Sequence, residues 1–333
     1  MDSVEENRLS LTILGGFLGA GKSTWLRHQL FVGAYDAPHV LVNEVAAHAV
    51  DDTLLAGARA LDVVAGGCVC CDQQAEMKAL LHRICNDRSR KQEAPQTQQL
   101  VFEMSGVADP GRVVAAIQND PILARHIVLK EIIVLVDALH GLDQLRDEGL
   151  ARAQIEAADR IVVTKTDSCE PSALAKTVAT LRQINPALEV RASAFGVEGP
   201  LPALPNATPA ELPSLEGTEE PIISLSLNLA ELSKGGDVWV AFSIWLSAML
   251  HAHGDHLVRV KGVVQTPGGR LLLQSVRKIM QAPERIPADY GRDARKSDGT
   301  VVLIGRGLDT DRIKTSLRKT VQMAQSSHEV STP

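Results

Sequence analysis

Gly15-Gly16-Phe17-Leu18-Gly19-Ala20-Gly21-Lys22-Ser23-Thr24 is the stretch on which the fold turns. It contains Gly-x-x-x-x-Gly-Lys-Ser from Gly16 to Ser23, set between an apolar run, Leu9 to Leu14, and a helical pattern, Ser23 to Val32. That setting makes the glycines a phosphate cradle: they let backbone N–H groups face inward, and the start of the helix adds partial positive charge. Gly16, Gly19, Ala20, Gly21 and Thr24 are expected to line it, with Lys22 reaching the β and γ phosphates and Ser23 ligating Mg²⁺. The rival reading, a glycine-rich turn with an accidental lysine, is disfavoured by the strand and helix on either side.

Outward from this loop, apolar runs alternate with helical patterns as far as residue 195, an order that implies a parallel sheet. Further strands are expected at Val40 to Asn43, Leu100 to Glu103, Glu131 to Asp137 and Arg160 to Thr164, each ending where polar residues gather. Ligand sites of such sheets lie at those carboxyl ends. Asp72 is placed to cap a helix running to about Cys85, and the polar stretch Asn86 to Gln99 reads as a surface loop. Between Gly196 and Pro221 the chain carries six prolines among small and acidic residues, which suits a linker.

Beyond it, Ile222 to Leu227, Leu257 to Val264, Arg270 to Ser275 and Thr300 to Ile304 read as strands. Val238 to Leu250 and Asp311 to Ala324 read as helices. The expected architecture is an α/β P-loop NTPase domain (1–196), its parallel sheet covered by helices on both faces. A Pro-rich linker (197–221), a smaller α+β domain (222–325) and a tail (326–333) follow.

Composition narrows the function. At 333 residues, 45% hydrophobic and 22% charged, the chain can bury two cores. A net charge of −6 with no basic stripe argues against nucleic acid as a partner. No apolar run reaches the roughly 18 residues of a membrane span, and the acidic start lacks a basic leader region, so a cytoplasmic location is expected. Five cysteines, three of them in Cys68-Val69-Cys70-Cys71, fit reduced thiols better than disulfides.

Two further segments complete a nucleotide site. Leu100-Val101-Phe102-Glu103 ends a buried strand with a carboxylate and leads into Met104-Ser105-Gly106. Glu103 is therefore expected near the metal or its water, and Gly106 is expected to offer a backbone donor to the γ-phosphate. Thr164-Lys165-Thr166-Asp167 follows a strand as a base-reading loop would. The Asp167 carboxylate can accept both N1–H and the exocyclic amine of guanine, a donor pair that adenine lacks. GTP, hydrolysed slowly to GDP, is the expected substrate, with Lys22 and Glu103 as the catalytic candidates. Ser193-Ala194 is a further candidate donor to the base.

Taken together these residues resemble the CobW-type metallochaperone GTPases, relatives of the GTPases that mature urease and hydrogenase. The resemblance rests on Gly15 to Thr24, Cys68 to Cys71, Glu103-Met104-Ser105-Gly106-Val107-Ala108-Asp109-Pro110 and Thr164 to Asp167. Past the linker it continues through Trp245, Leu257 to Gly262 and Val302 to Arg306. It implies GTP-driven delivery of a transition metal, zinc or cobalt, to a client metalloprotein, with the cysteine segment as the metal site. A nucleotide-dependent homodimer is a further expected partner. This chain departs from the family in two places. Asn43-Glu44-Val45-Ala46-Ala47 stands where Asn-Glu-Phe-Gly-Glu is common, and Leu273 to Lys278 contains none of the histidines usual there.

Cys68, Cys70 and Cys71 are soft thiolates suited to Zn²⁺ or Co²⁺, although three ligands within four residues rarely close on one ion. Two of them with outside ligands, His48 among the candidates, is the better arrangement. His251, His253 and His256 are explained by a solvated helix end. Two rivals stay open. One is a nucleotide-gated activator or assembly chaperone that carries no metal; the other is a P-loop kinase for a small metabolite, which has no need of Thr164 to Asp167.

Overall fold

The computed structural model describes residues 8–44, 57–65, 73–90, 98–186, 188–213, 222–229, 231–232, 238–254, 256–276, 279–280, 283–285 and 299–329. Ala47, His48, Cys68, Cys70, Cys71 and Asp72 lie outside these residues. The chain forms two compact units, Met1–Thr218 and Glu219–Pro333.

The first unit opens with β1 (Leu9–Gly16), α1 (Lys22–Phe31), β2 (His39–Glu44), β3 (Ala60–Ala65), α2 (Gln74–Arg90) and β4 (Gln99–Glu103). There follow α3 (Pro110–Gln118), α4 (Pro121–His126), β5 (Ile127–Asp137), α5 (Gly141–Asp147) and α6 (Gly149–Ala157). β6 (Arg160–Thr164), α7 (Pro171–Ile184), β7 (Glu189–Ala194) and β8 (Val197–Gly199) complete it. Among the described residues these strands make one eight-stranded sheet in the order β3-β2-β4-β1-β5-β6-β7-β8. Every pairing is parallel except β7 with β8.

β1 is the pivot of this topology. The chain leaves it toward β2 on one side and later passes to β5 on the other, so the carboxyl end of β1 is the switch point where such sheets bind ligands. Alternate residues explain why the pivot is so well buried. Leu14, Val40, Val42, Val101, Ile133, Leu135 and Val162 form one apolar face with Trp25, Leu26 and Leu30 of α1.

Three expectations need correction. α2 runs on to Arg90, past Cys85, because the polar residues after Cys85 are compatible with a helix and no Gly or Pro interrupts it. β3 had no counterpart in the sequence reading; it pairs in parallel with β2 from His39↔Ala60 to Glu44↔Ala65. Val197–Gly199, assigned to the linker, form a strand antiparallel to β7. The Pro-rich stretch after it is also tied down as far as Pro213. Buried Arg152 donates from Nη1 to Pro213 O at 2.7 Å, and Ala210 N donates to Thr180 Oγ1 at 2.8 Å. Proline fixes the backbone and these bonds fix the path, so the segment packs on its own unit.

The second unit contains β9 (Ile222–Asn228), α8 (Trp239–His253), β10 (Leu257–Thr266), β11 (Gly269–Val276), β12 (Ile279–Met280), β13 (Glu284–Arg285), β14 (Thr300–Arg306) and α9 (Thr310–Glu329). Its antiparallel sheet runs β12-β11-β10-β14-β9, with β13 also on β11. Phe242, Trp245, Leu246 and Met249 of α8 pack with Leu227, Val260, Leu303 and Leu317 into one core. Trp245 keeps its indole N–H satisfied by donating to Ser316 Oγ at 3.1 Å. Among the described residues no helix is long and apolar enough to cross a membrane.

Candidate functional site

Strand register brings the separate sequence motifs to one edge of the sheet. Leu14 lies opposite Glu103, Gly16 opposite Leu135, and Asp137 opposite Thr164. The glycine-rich loop, Glu103 and the Thr164–Asp167 loop, the candidate base reader, therefore leave β1, β4 and β6 at the same carboxyl end.

The loop itself has the backbone its glycines predict. Gly16, Gly19 and Gly21 have φ of 137°, 76° and 82°, values that other residues adopt only under strain. A Cβ on Gly16 would stand 2.6 Å from Leu135 O, whereas at Gly19 and Gly21 nothing lies within 4 Å. Gly16 thus fits the loop against β5, and the other two face open space of the kind a phosphate group fills. Ala20 is fully buried and holds the loop's inner side. Lys22 Nζ donates to Gly16 O at 2.9 Å and lies 3.3 Å from Phe17 O, which keeps the ammonium over the loop.

Ser23 Oγ donates to Glu103 Oε1 at 2.7 Å, and Glu103 is only 3% exposed. A hydroxyl and a buried carboxylate in contact are the hard oxygen donors that Mg²⁺ prefers, so these residues fit that ion. Thr24, the next residue, is exposed. Gly106 is buried against the phosphate loop: a Cβ there would stand 2.7 Å from Leu18 Cδ2 and 2.8 Å from Leu18 N. The segment carrying it is fixed by Gln154, whose Nε2 donates to Ala108 O at 2.8 Å and to Gly106 O at 3.3 Å.

Asp109 ends that segment by capping α3, accepting Gly111 N at 2.8 Å ahead of Pro110 in the first turn. Asp109→Ala is expected to lower stability by about 1 kcal/mol. A denaturation midpoint identical to that of the wild type would show that α3 does not depend on the cap.

On the β6 side, Thr164 is buried and donates from Oγ1 to Ala20 O at 2.9 Å, so it braces the phosphate loop from behind. Lys165 has φ 58°, and its Nζ pairs with Asp137 Oδ2 at 2.6 Å. Asp137 is 1% exposed and also accepts Leu139 N at 2.8 Å. Thr166 Oγ1 donates to Ser193 O at 3.2 Å, which ties this loop to the end of β7. Asp167 is exposed and accepts Ser168 Oγ at 2.8 Å. Its carboxylate is available on a loop that its neighbours hold rigid.

Sequence reading missed Asp137, Gln144 and Gln154 as supports of this site. Asp137 did carry a signal, a carboxylate closing an apolar strand just as Glu103 does. Gln144 Nε2 donates at 3.1 Å to Leu18 O, 126 positions earlier in the chain, and no local pattern marks such a contact.

Among the described residues no group of three or more His, Cys, Asp or Glu side chains is placed to hold a metal ion. Cys85 and Cys169 are not joined in a disulfide. Burial pushes the Cys85 thiol up to about 11, and burial with the nearby Glu170 and Asp137 carboxylates raises Cys169. Both stay protonated near neutral pH, which makes them poor metal ligands. Cys68, Cys70, Cys71 and His48, the metal candidates from sequence, lie outside the described residues.

Comparison with known proteins agrees with this geometry. The model of the CobW/HypB/UreG nucleotide-binding domain matches residues 10–191, and that of the cobalamin synthesis protein cobW C-terminal domain matches 238–321. The zinc chaperone YjiA of Escherichia coli is 30% identical over 321 residues, covering 92% of this chain and 97% of the relative. The zinc chaperone CobW of Pseudomonas aeruginosa is 28% identical, covering 93% and 91% respectively. Among solved structures, a zinc-bound triple mutant of the YjiA GTPase superposes with a TM-score of 0.61 at 25% identity, covering 94% of this chain and 99% of that one.

Proposed function

The chain belongs to the CobW/HypB/UreG family, with the nucleotide-binding domain over 10–191 and the CobW C-terminal domain over 238–321, and from that we propose that it is a GTP-hydrolysing metallochaperone. Its cargo in this reading is zinc, with cobalt as the alternative, passed to a client metalloprotein. The observation that carries the nucleotide half is the meeting of Lys22, the Ser23–Glu103 pair and the Asp167 loop at one sheet edge. The cargo half is supported by relatives named as zinc chaperones.

Each residue has a definite task in this proposal. Backbone N–H groups from Gly16 to Ser23 and the Lys22 ammonium bind the phosphates and neutralise charge that builds on them during transfer to water. Mg²⁺, when bound, draws electron density from the phosphate oxygens; Ser23 and Glu103 would hold it or its water. Gly106 is the γ-phosphate sensor, with Gln154 fixing the loop on which it sits. Asp167 selects guanine, and Thr164 and Lys165 hold its loop in place. Intrinsic turnover in this reading is slow, on the order of 10⁻⁴ to 10⁻² per second, the range of GTPases that await a partner to complete the site. The nucleotide state also sets whether the chain pairs with a second copy.

Cys70 with Cys68 or Cys71 supplies the cargo site, and His48 is the first candidate to replace the acid that Ala47 lacks. Thiolates provide most of the affinity for Zn²⁺ or Co²⁺, so one missing carboxylate weakens such a site without abolishing it. Reduced protein is expected to bind about one ion per chain. Affinity should change on adding a non-hydrolysable GTP analogue and fall at acid pH, since the thiols must deprotonate to bind. Cobalt titration reads this directly through the thiolate charge-transfer band. If the band is absent and Cys70→Ala leaves zinc content untouched, a nucleotide-gated assembly factor without cargo becomes the better account.

A further inference from the structure

Phe195, in the turn between β7 and β8, is held in a position that packing does not explain. Its side chain is 82% exposed, and its φ of 52° lies in the left-handed region, which a bulky residue occupies only when its surroundings force it. A ring kept for the core would be buried, and a residue kept for the turn alone would be Gly or Asn.

The turn is clamped on both sides. Gln29 Nε2 donates to Gly196 O at 3.0 Å, and Trp25 Nε1 donates to Glu198 Oε2 at 3.1 Å. Arg160 pairs with the other oxygen of Glu198. A Cβ on Gly196 would stand 2.7 Å from His28 Cβ and 2.9 Å from Thr24 O, so the turn rests directly on the first half of α1. From the opposite side, the bond from Thr166 Oγ1 to Ser193 O joins the same turn to the loop of Asp167. Phe195 therefore stands between the helix that ends the phosphate cradle and the loop that reads the base edge. A nucleotide whose phosphates occupy the first and whose base reaches the second must lay its base and ribose across that interval.

We propose that Phe195 is the stacking platform for the purine base of the bound nucleotide. The inference rests on the nucleotide reading given above. It does not depend on the choice of guanine, because stacking on a flat apolar ring tolerates any base. The left-handed backbone is what turns the ring outward instead of into the sheet, and the clamps on Gly196 and Glu198 hold it there before the ligand arrives.

Calorimetric titration of the full chain with GDP, ADP and inorganic pyrophosphate tests this, using Phe195→Gly, Phe195→Leu and Phe195→Trp. Phe195→Gly should weaken GDP binding by about tenfold to a hundredfold. Its thermal midpoint should hold or rise, since glycine accepts the left-handed backbone without strain. Phe195→Leu keeps apolar volume without a π face and should show a similar loss. Phe195→Trp should keep its affinity and gain a fluorescence quench on binding GDP that the wild type lacks. Pyrophosphate should bind all four proteins equally. Unchanged GDP affinity in both the Gly and Leu variants overturns the platform while leaving the guanine reading intact. If the wild type shows no preference for GDP over ADP, the guanine reading falls and the same variants judge the platform on ADP. A wild type that binds neither nucleotide overturns both.

Discussion

Lys22→Ala is expected to lower GTP hydrolysis by about two to three orders of magnitude. The position of the ammonium sets the size of this effect. Its bonds to Gly16 O and Phe17 O, at 2.9 and 3.3 Å, place it over the loop, so a γ-phosphate arriving there replaces backbone carbonyl partners with a stronger anionic one. That exchange matters most when charge builds on the transferring group, and its loss should therefore appear mainly in turnover. Lys22 is half-buried and contributes nothing to the apolar face formed by Leu14, Leu26 and Leu135. The thermal midpoint should thus stay near that of the wild type. The loop's shape should also survive, because it is set by Gly16 against Leu135 and by Thr164 against Ala20. Single-turnover hydrolysis alongside a melting curve separates the two effects. Hydrolysis at the wild-type rate would move phosphate binding away from this loop.

How much of this site could be read from the chain depends on whether a residue's role is local. The phosphate loop is a local device: its glycines, lysine and serine act within one turn, so the spacing alone locates them. The placement of Glu103 and of the Asp167 loop at this edge was legible for a related reason, since one ends an apolar strand and the other follows one, and parallel sheets gather such ends together. Gln154, Gln144 and Arg152 were not. Each is an ordinary polar residue in a helix, and it acquires its role from carbonyls 46, 126 and 61 positions away. Thr164 shows the mixed case. Its position at the end of an apolar strand was evident, but its bracing bond to Ala20 O spans 144 residues and exists only because β6 and the glycine-rich loop end at the same sheet edge. Boundaries failed where propensity and context disagree. α2 outruns Cys85 because its polar tail is still helix-compatible, and β3 is a short run of small and branched residues whose pairing with β2 decides it. In the second unit both helices and the strands β9, β10, β11 and β14 were legible because each carries a sustained apolar pattern bounded by turn residues, whereas the two-residue strands β12 and β13 carry none.

Asp167→Asn should reverse base preference, lowering affinity for GTP by about two orders of magnitude and raising that for XTP. The carboxylate offers two acceptors, which match the N1–H and the exocyclic amine of guanine. The amide offers one acceptor and one donor, and xanthine, with a carbonyl in place of the amine, presents the complementary pair. The substitution is nearly isosteric and its site is exposed, so the fold has no reason to respond. The loop's conformation should persist because it is set elsewhere, by Lys165 on Asp137 at 2.6 Å and Thr166 on Ser193 O at 3.2 Å. Ser168 Oγ, which donates to Asp167 Oδ2 at 2.8 Å, can donate equally to the amide oxygen. A change in binding can then be assigned to the base edge and not to a collapsed loop. Competition between GTP and XTP for the wild-type and Asp167→Asn proteins measures the switch as a ratio, which cancels any general weakening of the site. The same experiment guards against a false positive from phosphate binding, since both nucleotides carry the same triphosphate into the same Lys22 and Ser23 cradle. GTP affinity retained in the variant with no gain for XTP would place base recognition on other residues, and the chemistry of the β6 loop would then have to be read as a brace for the phosphate loop alone.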